Sequence, residues 1–329
     1  MSAFAPTIEA FFAERLIAQR EASPRTVAAY RDTLRMLLVF AEQHAGKPPS
    51  RLDVADVDCE LVGSFLTHLE HDRGNSARTR NTRLAAIHSL FRYAALRHPE
   101  HAASIQRVLA IPSKLCDRVE VCYLDPDEVD ALLAAPDKET WLGRRDHALL
   151  VLTVQTGLRV SELTRLDCGD VDIGVGAHVH CHGKGRKQRA TPLTKLTVTV
   201  LRAWMTERLG SPSDPLFPTS RSTRLSPDAV QWLVAKYARV AAAGCTSIAT
   251  KAVSPHVLRH TCAMNLLHSG VDIAVIALWL GHESTQTTQI YVHADMVLKE
   301  RALARTTPPN TKPGRYRPPD ALLAFLEGL

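Results

Sequence analysis

The chain has 329 residues, 45% of them apolar and 22% charged, with a formal net charge of +6. That length accommodates two ordinary domains, each with its own core, and no window approaches the roughly 18 uninterrupted apolar residues that a membrane span needs. The charge favours a polyanionic partner, and seven cysteines, an odd number with no CxxC pair, argue against a disulfide framework or a thiolate zinc site.

The segment up to Pro24 lacks a basic start and breaks its apolar residues with Glu9, Glu14, Arg15, Arg20 and Glu21. It reads as an amphipathic helix rather than a signal peptide, so a cytoplasmic location is expected. Ser23-Pro24 is a helix start, a capping side chain followed by proline at the first helical position. The helix that follows places Val27, Tyr30, Leu34, Leu37 and Leu38 on one face. DVDCELVGSFLTHLE predicts a further helix, and SARTRNTRLAAIHSLFRYAALR another, with Leu84, Ile87, Leu90, Phe91 and Ala94 towards the core. From Arg73 to Arg97 there are six arginines and no Asp or Glu, the composition of a surface laid against phosphates. Arg73, Arg78, Arg80 and Arg83 are the candidate DNA-binding residues of this segment. A solvated helix face usually mixes both signs of charge.

Helix-breaking signals and the extended-looking VEVCYL predict a linker at 113–124, after a helical domain at 1–112. DPDEVDALLAA and DHALLVLTVQTGLRVSELTRL then read as helical. DVDIGVGAHVHCHGKGRKQRATPL changes to a strand period with a Gly183-Lys184-Gly185 hairpin tip, and helices return from Thr194. The expected fold is mainly α with a small antiparallel β-sheet. A second domain spans 125–305, and a tail at 306–329 ends in the short amphipathic PPDALLAFLEGL after a Pro/Gly-rich stretch.

One set of residues in the second domain is cationic and rich in hydrogen-bond donors: Arg159 in TGLRVSEL, Lys184 on the hairpin tip, His256 and Arg259 in HVLRH, His282 in LGH and Tyr291 in QIYVH. It contains a single oxygen nucleophile, Tyr291. That chemistry suits a phosphodiester, whose transfer reaction piles negative charge on non-bridging oxygens where arginine forks bind best. A lysine can protonate the leaving oxygen and a histidine can accept the tyrosine proton. Each residue has a plainer reading. Arg159 with Glu162 makes an i,i+3 helix ion pair. Lys184, Arg186, Lys187 and Arg189 are what a charged turn collects, and a lone tyrosine is usually half-buried core. His256 and His260 share a helix face, but Val257 stands where a zinc protease has Glu, and His178, His180 and His182 read as surface histidines with no carboxylate or thiol to complete a site. No metal site is expected.

The ordered series TGLRVSEL, GKGRK, HVLRH, LGH and a downstream tyrosine resembles the tyrosine recombinase (phage integrase) family, from about Thr7 to Val297, and SPRTVAAYRDTLRMLLVFA is similar to the family's core-binding domain. The resemblance implies a SAM-like DNA-binding domain followed by a catalytic domain, the two clamping duplex DNA from opposite faces. It implies that Arg159, Lys184, His256, Arg259 and His282 activate the phosphate, that Tyr291 attacks it, and that Glu162 and His260 support them. Arg186 and Lys187 join the expected DNA contacts. No cofactor is implied; the partners would be double-stranded recombination sites and a homotetramer acting on two of them, in the bacterial cytoplasm. Leu322, Leu323, Phe325 and Leu326 of the tail offer an apolar face, either for a neighbouring protomer or for the tail's return onto its own chain. Integration, excision or transposition of a mobile element is the expected role. The alternatives are Xer-like dimer resolution, a type IB topoisomerase or telomere resolvase sharing the same pocket, and a non-catalytic DNA-binding regulator.

Overall fold

Pro24 opens a helix as the Ser23-Pro24 pair predicts: the Ser23 side chain accepts a hydrogen bond from the Thr26 amide, and the helix, α2, runs over Pro24–Ala45 before Gly46 ends it in the left-handed region. The computed structural model describes residues 4–116, 121–182, 188–282 and 288–291, and the chain divides into two units, 1–119 and 120–329. Besides α2, the first unit contains α1 (Phe4–Ala10), which continues as π-type turns over Phe11–Gln19, then α3 (Cys59–His71), α4 (Ala77–Ala94) and α5 (Ala102–Leu109). Leu34 and Leu37 of α2, Phe65 and Leu66 of α3, and Leu84, Ile87, Leu90 and Phe91 of α4 are buried together around Phe4 and Phe11. The apolar stripe read from the spacing of α4 is therefore its core face.

The arginines of this unit do not all lie on one basic side. Arg73 and Arg78 are exposed, and Arg83 turns back to donate to Thr33 Oγ1 at 2.9 Å. Arg80, expected among the DNA contacts, is only 7% exposed. Its guanidinium donates to the Pro112 carbonyl at 3.0 Å and to Asn81 Oδ1 at 3.2 Å, and faces Glu70 at 3.9 Å. The reason is position: Arg80 lies four residues before Leu84 and so on the buried stripe of α4. It fastens the segment that leaves the first unit, as does Asn81, which exchanges hydrogen bonds with the Lys114 backbone. The expected linker at 113–124 is likewise shared out. Lys114 is tied to the first unit, whereas Leu124 is buried in the core of the second and its amide donates to Thr261 Oγ1.

The second unit contains α6 (Pro126–Ala134), α7 (Trp141–Thr156), α8 (Val160–Leu163), β1 (Val171–Asp172), β2 (His178–His182), β3 (Gln188–Pro192), α9 (Lys195–Arg208), α10 (Pro227–Ala241), α11 (Pro255–His268) and α12 (Ile273–Leu280). The strands form one antiparallel sheet in the order β1-β2-β3, with Val179 opposite Thr191 and Cys181 opposite Arg189. The predicted tip, Gly183-Lys184-Gly185, lies outside the described residues. The helix expected to run on from Asp146 to Leu166 is broken: Gly157 closes α7 at φ 63°, and Arg159 stands before α8 as its N-cap. All seven cysteines are free, and Cys168, Cys181 and Cys262 are buried. Among the described residues no helix is long and apolar enough to cross a membrane.

Arg80→Met removes a buried donor while leaving the carbonyl of Pro112 in place, and is expected to destabilise the chain by about 1–3 kcal/mol. Arg78→Met, on the exposed side, is expected to leave the melting temperature unchanged while weakening DNA binding and flattening its salt dependence. Melting curves and salt-titrated DNA binding on both variants check this; an Arg80 variant with wild-type stability and weakened binding would restore the DNA-facing assignment.

Candidate active site

HVLRH occupies the first turns of α11, which Ser254 caps by accepting from the Val257 amide, with Pro255 at the first helical position. One side of this turn is buried and carries Arg259, whose guanidinium donates from Nη1 to the Gly157 carbonyl at 2.6 Å and from Nη2 to the Leu280 carbonyl at 2.7 Å. These carbonyls belong to the C-terminal ends of α7 and α12. Both helices finish on a glycine in the left-handed region, Gly157 at φ 63° and Gly281 at φ 64°. Carbonyls at such ends carry the negative pole of the helix and are well matched to a cation. A side chain at 157 is also excluded by packing, since a Cβ there would meet Leu280 Cδ2 at 2.7 Å. Burial holds Arg259 down to about 10, with the nearby charge of Arg159 acting in the same direction.

Arg159 approaches the same helix end, donating from Nη2 to the Gly281 carbonyl at 2.8 Å. Its other anchor is Glu162, a buried carboxylate that accepts from the Arg159 amide at 2.8 Å and from Arg159 Nη1 at 2.9 Å. A second arginine, Arg189 on β3, grips the same carboxylate with both Nη atoms at 2.9 and 2.8 Å. Burial by itself raises a carboxyl, but the fork from Arg189, the charge of Arg189 and the Arg159 amide outweigh it and hold Glu162 below the usual carboxylate range.

Tyr291 is 1% exposed and packs among Cys262, Ala263, Met264, Leu267, Ile276 and Leu280. Its hydroxyl is hydrogen-bonded with His260 Nδ1 at 3.0 Å, and its ring lies nearly parallel to that of His282 at 6.5 Å between centroids. His282 is oriented by Thr288, whose hydroxyl lies 2.7 Å from Nδ1. Burial pushes the tyrosine up to about 12, against the lowering pull of Arg259. Burial first, then neighbouring positive charge, holds His260 and His282 each down to about 4. Both histidines are therefore neutral at pH 7, the state able to take a proton.

The structure thus brings together Arg159, Glu162, Arg259, His260, His282 and Tyr291. His256, on the outer side of the first turn of α11, is exposed. Lys184, Arg186 and Lys187 lie outside the described residues. From sequence alone Arg189 reads as an ordinary turn charge, and nothing singles out Thr288. Strand alternation was the available signal for Arg189, because Thr191, two residues on and on the same face, is buried. His178 and His180 share a face of β2 with their Nε2 atoms 2.7 Å apart, and among the described residues no group of three or more metal-ligating side chains occurs.

A profile of the phage integrase family matches residues 122–297, and one of the phage integrase N-terminal SAM-like domain matches residues 8–98. The chain belongs to the tyrosine recombinase (phage integrase) family. Among relatives, the y4rC protein of Sinorhizobium fredii (strain NBRC 101917 / NGR234), named for the integrase/recombinase class, is 55% identical over 328 residues, 100% of this chain and 99% of that protein. Tyrosine recombinase XerC of Pelobacter propionicus (strain DSM 2379 / NBRC 103807 / OttBd1) is 34% identical over 286 residues, 87% of this chain and 90% of that protein. The fold of this recombinase is shared with XerH site-specific recombinase, whose crystal structure bound to palindromic difH substrate as a post-cleavage complex superposes at a TM-score of 0.70, with 23% identity over 87% of this chain and 81% of that one.

The two lowered histidines carry a pH dependence. In the unfolded chain each titrates near about 6.5, so between there and about 4 the unfolded state binds more protons than the folded one. Stability is therefore fully present above the unfolded value and falls as pH drops through that window. The melting temperature is expected to fall from pH 7 to pH 5, and to fall less in His282→Asn; equal slopes in the two proteins would contradict the burial of a neutral His282.

Proposed function

We propose that the chain is a site-specific DNA recombinase that cleaves and rejoins DNA through Tyr291. The hydrogen bond between the Tyr291 hydroxyl and a neutral His260, within reach of the charges of Arg259 and Arg159, carries this reading. Tyr291 Oη attacks the phosphorus while its proton passes to His260 Nδ1. The phosphorus–oxygen bond to the 5'-oxygen breaks, leaving a 3'-phosphotyrosyl link and, with a proton from Lys184, a free 5'-hydroxyl. A 5'-hydroxyl from a partner duplex then attacks the link in reverse and restores the tyrosine. Arg159, Arg259, His256 and His282 bind the non-bridging oxygens as their charge grows. The bond energy is kept in the phosphotyrosyl ester, so neither ATP nor a cofactor enters the balance.

The contrast between the buried pair and the task is chemical. A tyrosine at about 12 facing a histidine at about 4 gives a proton transfer that is strongly uphill at rest. A bound phosphodiester adds negative charge that makes the histidine a better base, and the bond that the tyrosine oxygen forms to phosphorus as its proton leaves avoids a free tyrosinate, so proton transfer accompanies attack. A non-catalytic regulator has no use for a tyrosine hydroxyl paired in this way. Tyr291→Phe preserves the ring packing and removes the nucleophile; DNA binding is expected to persist while covalent protein–DNA adducts on nicked substrates disappear. Adducts formed by the Phe variant would assign the attack to another residue.

In this reading the partners are duplex recombination sites in the bacterial cytoplasm, contacted by Arg73 and Arg78 in the first unit and by Arg186 and Lys187 beside Lys184, with a homotetramer on two sites. We place the role in integration, excision or transposition of a mobile element. The y4rC protein, named for the integrase/recombinase class, is 55% identical over the whole chain, against 34% over 87% of it for XerC, which favours integration over Xer-like dimer resolution. The tail supplies the coupling between protomers. Its Leu322, Leu323, Phe325 and Leu326 match in character the outer face of α12, where Val275 and Leu278 are exposed, Leu278 by 76%. Truncation after Pro319 is expected to leave DNA binding by a single protomer and the melting temperature intact while lowering the mass of the DNA-bound assembly. Unchanged assembly mass with a lowered melting temperature would place the tail on its own protomer.

A further inference from the structure

Glu162 poses an electrostatic problem for a phosphate-binding site. Its carboxylate is almost fully buried, with 3% side-chain exposure, and it is bonded directly to the guanidinium of Arg159. An anion there competes with the phosphodiester for the charge of Arg159. As a pair, Arg159 and Glu162 have no net charge to offer.

We propose that Arg189 is a positioning residue that neutralises Glu162, so that Glu162 orients Arg159 without cancelling the charge Arg159 presents to the scissile phosphate; this rests on the recombinase reading above. The geometry divides the work. Arg189 meets the carboxylate with both Nη atoms, Nη1 on Oε1 and Nη2 on Oε2, the bidentate fork that neutralises a carboxylate most completely. Arg159 meets it with Nη1 alone, and Nη2 is committed to the Gly281 carbonyl. With the Arg159 amide as the fourth donor, the carboxylate accepts four hydrogen bonds, about its full capacity. Two arginines against one carboxylate leave the group with one positive charge, and Arg189, with 13% side-chain exposure, is the more enclosed of the two. Arg189 also braces the turn that carries His282. A Cβ on Gly281 would fall only 2.5 Å from its Nη1, so the guanidinium packs close against that glycine.

The test is a comparison of wild type, Arg189→Met, Arg189→Lys, Glu162→Gln and the Arg189→Met/Glu162→Gln double variant, in single-turnover formation of the phosphotyrosyl adduct at saturating DNA, with the DNA dissociation constant measured alongside. Arg189→Met is expected to slow adduct formation by about 10- to 100-fold, the usual loss when a supporting partner of an active group is removed, with the dissociation constant unchanged. Arg189→Lys keeps the charge but not the fork and is expected to fall between. The double variant is expected to be no slower than Arg189→Met, because the anion that Arg189 offsets is gone. A wild-type rate in Arg189→Met, or losses that multiply in the double variant, overturns the proposal. Should Arg189→Met fail to fold, Arg189→Lys compared with Arg189→Lys/Glu162→Gln applies the same test. A second measurement needs no cleavage: the carboxyl carbon resonance of Glu162, assigned by its loss in Glu162→Gln, is titrated in wild type and in the Arg189 variants. Its midpoint is expected to move up when Arg189 is replaced, and an unmoved midpoint overturns the proposal. Absence of any adduct from wild type would defeat the recombinase reading, and the titration would still decide whether Arg189 neutralises Glu162.

Discussion

The buried guanidinium of Arg259 is the constraint around which the second unit is arranged. It holds two helix ends, the Gly157 carbonyl of α7 and the Leu280 carbonyl of α12, and so fixes where the two turns that follow those helices begin. One of these turns leads to Arg159 and the other to His282. A buried charge satisfied by carbonyl dipoles alone is costly compared with one paired with a carboxylate. That cost shows as the lowering of Arg259 to about 10, which still leaves it charged at neutral pH. A fold that keeps such a charge keeps a place where an anion is welcome.

Glycine makes the arrangement possible at two positions. Gly157 and Gly281 both adopt positive φ, and both are approached so closely that a Cβ would collide, with Leu280 in the first case and with Arg189 in the second. The helix ends can therefore lie against their neighbours, carbonyls towards the arginines. Arg159 then reaches the end of α12 from α8, and Glu162, one turn into α8, fixes it from behind. The short helix α8 exists as a separate element because Gly157 interrupts what the apolar pattern alone would continue. The interruption turns a helical ion pair at i,i+3 into a bracket for a guanidinium.

Much of this was legible in the sequence where a residue's type and its period agree. Ser23-Pro24, the apolar stripe of α4 and the HVLRH turn all fall where spacing put them. The misplacements share one physical cause, which is that charge composition carries no direction. Arg78 and Arg80 contribute equally to a count of arginines, yet two helical residues are about 200° apart, and Arg80 shares the stripe of Leu84 and Ile87. Arg189 was lost among turn charges for the same reason, although strand alternation sets it beside buried Thr191 and opposite buried Cys181. The break at Gly157 was marked by a glycine in a helical pattern, but a glycine there is compatible with a continuous helix as well as with an end. What decides between them is the packing of Leu280 and Cys262 against it, and those contacts are more than 100 residues away in the chain.

The same cations that make the pocket attractive to a phosphate also keep it quiet without one. Positive charge from Arg259, Arg159 and Arg189 adds to burial in holding His282 neutral, and Arg259 acts likewise on His260. A neutral histidine beside a protonated tyrosine is the right composition for proton transfer, but burial keeps the tyrosine a weak acid and the histidine a weak base. A phosphodiester between the arginines weakens the positive field that the histidines feel. Its charge offsets the arginines and makes protonation of His260 easier, and as attack proceeds the extra negative charge on the non-bridging oxygens strengthens the effect. Proton transfer to His260 is then coupled both to occupancy of the arginine pocket and to attack itself, because the tyrosine oxygen bonds to phosphorus as its proton leaves.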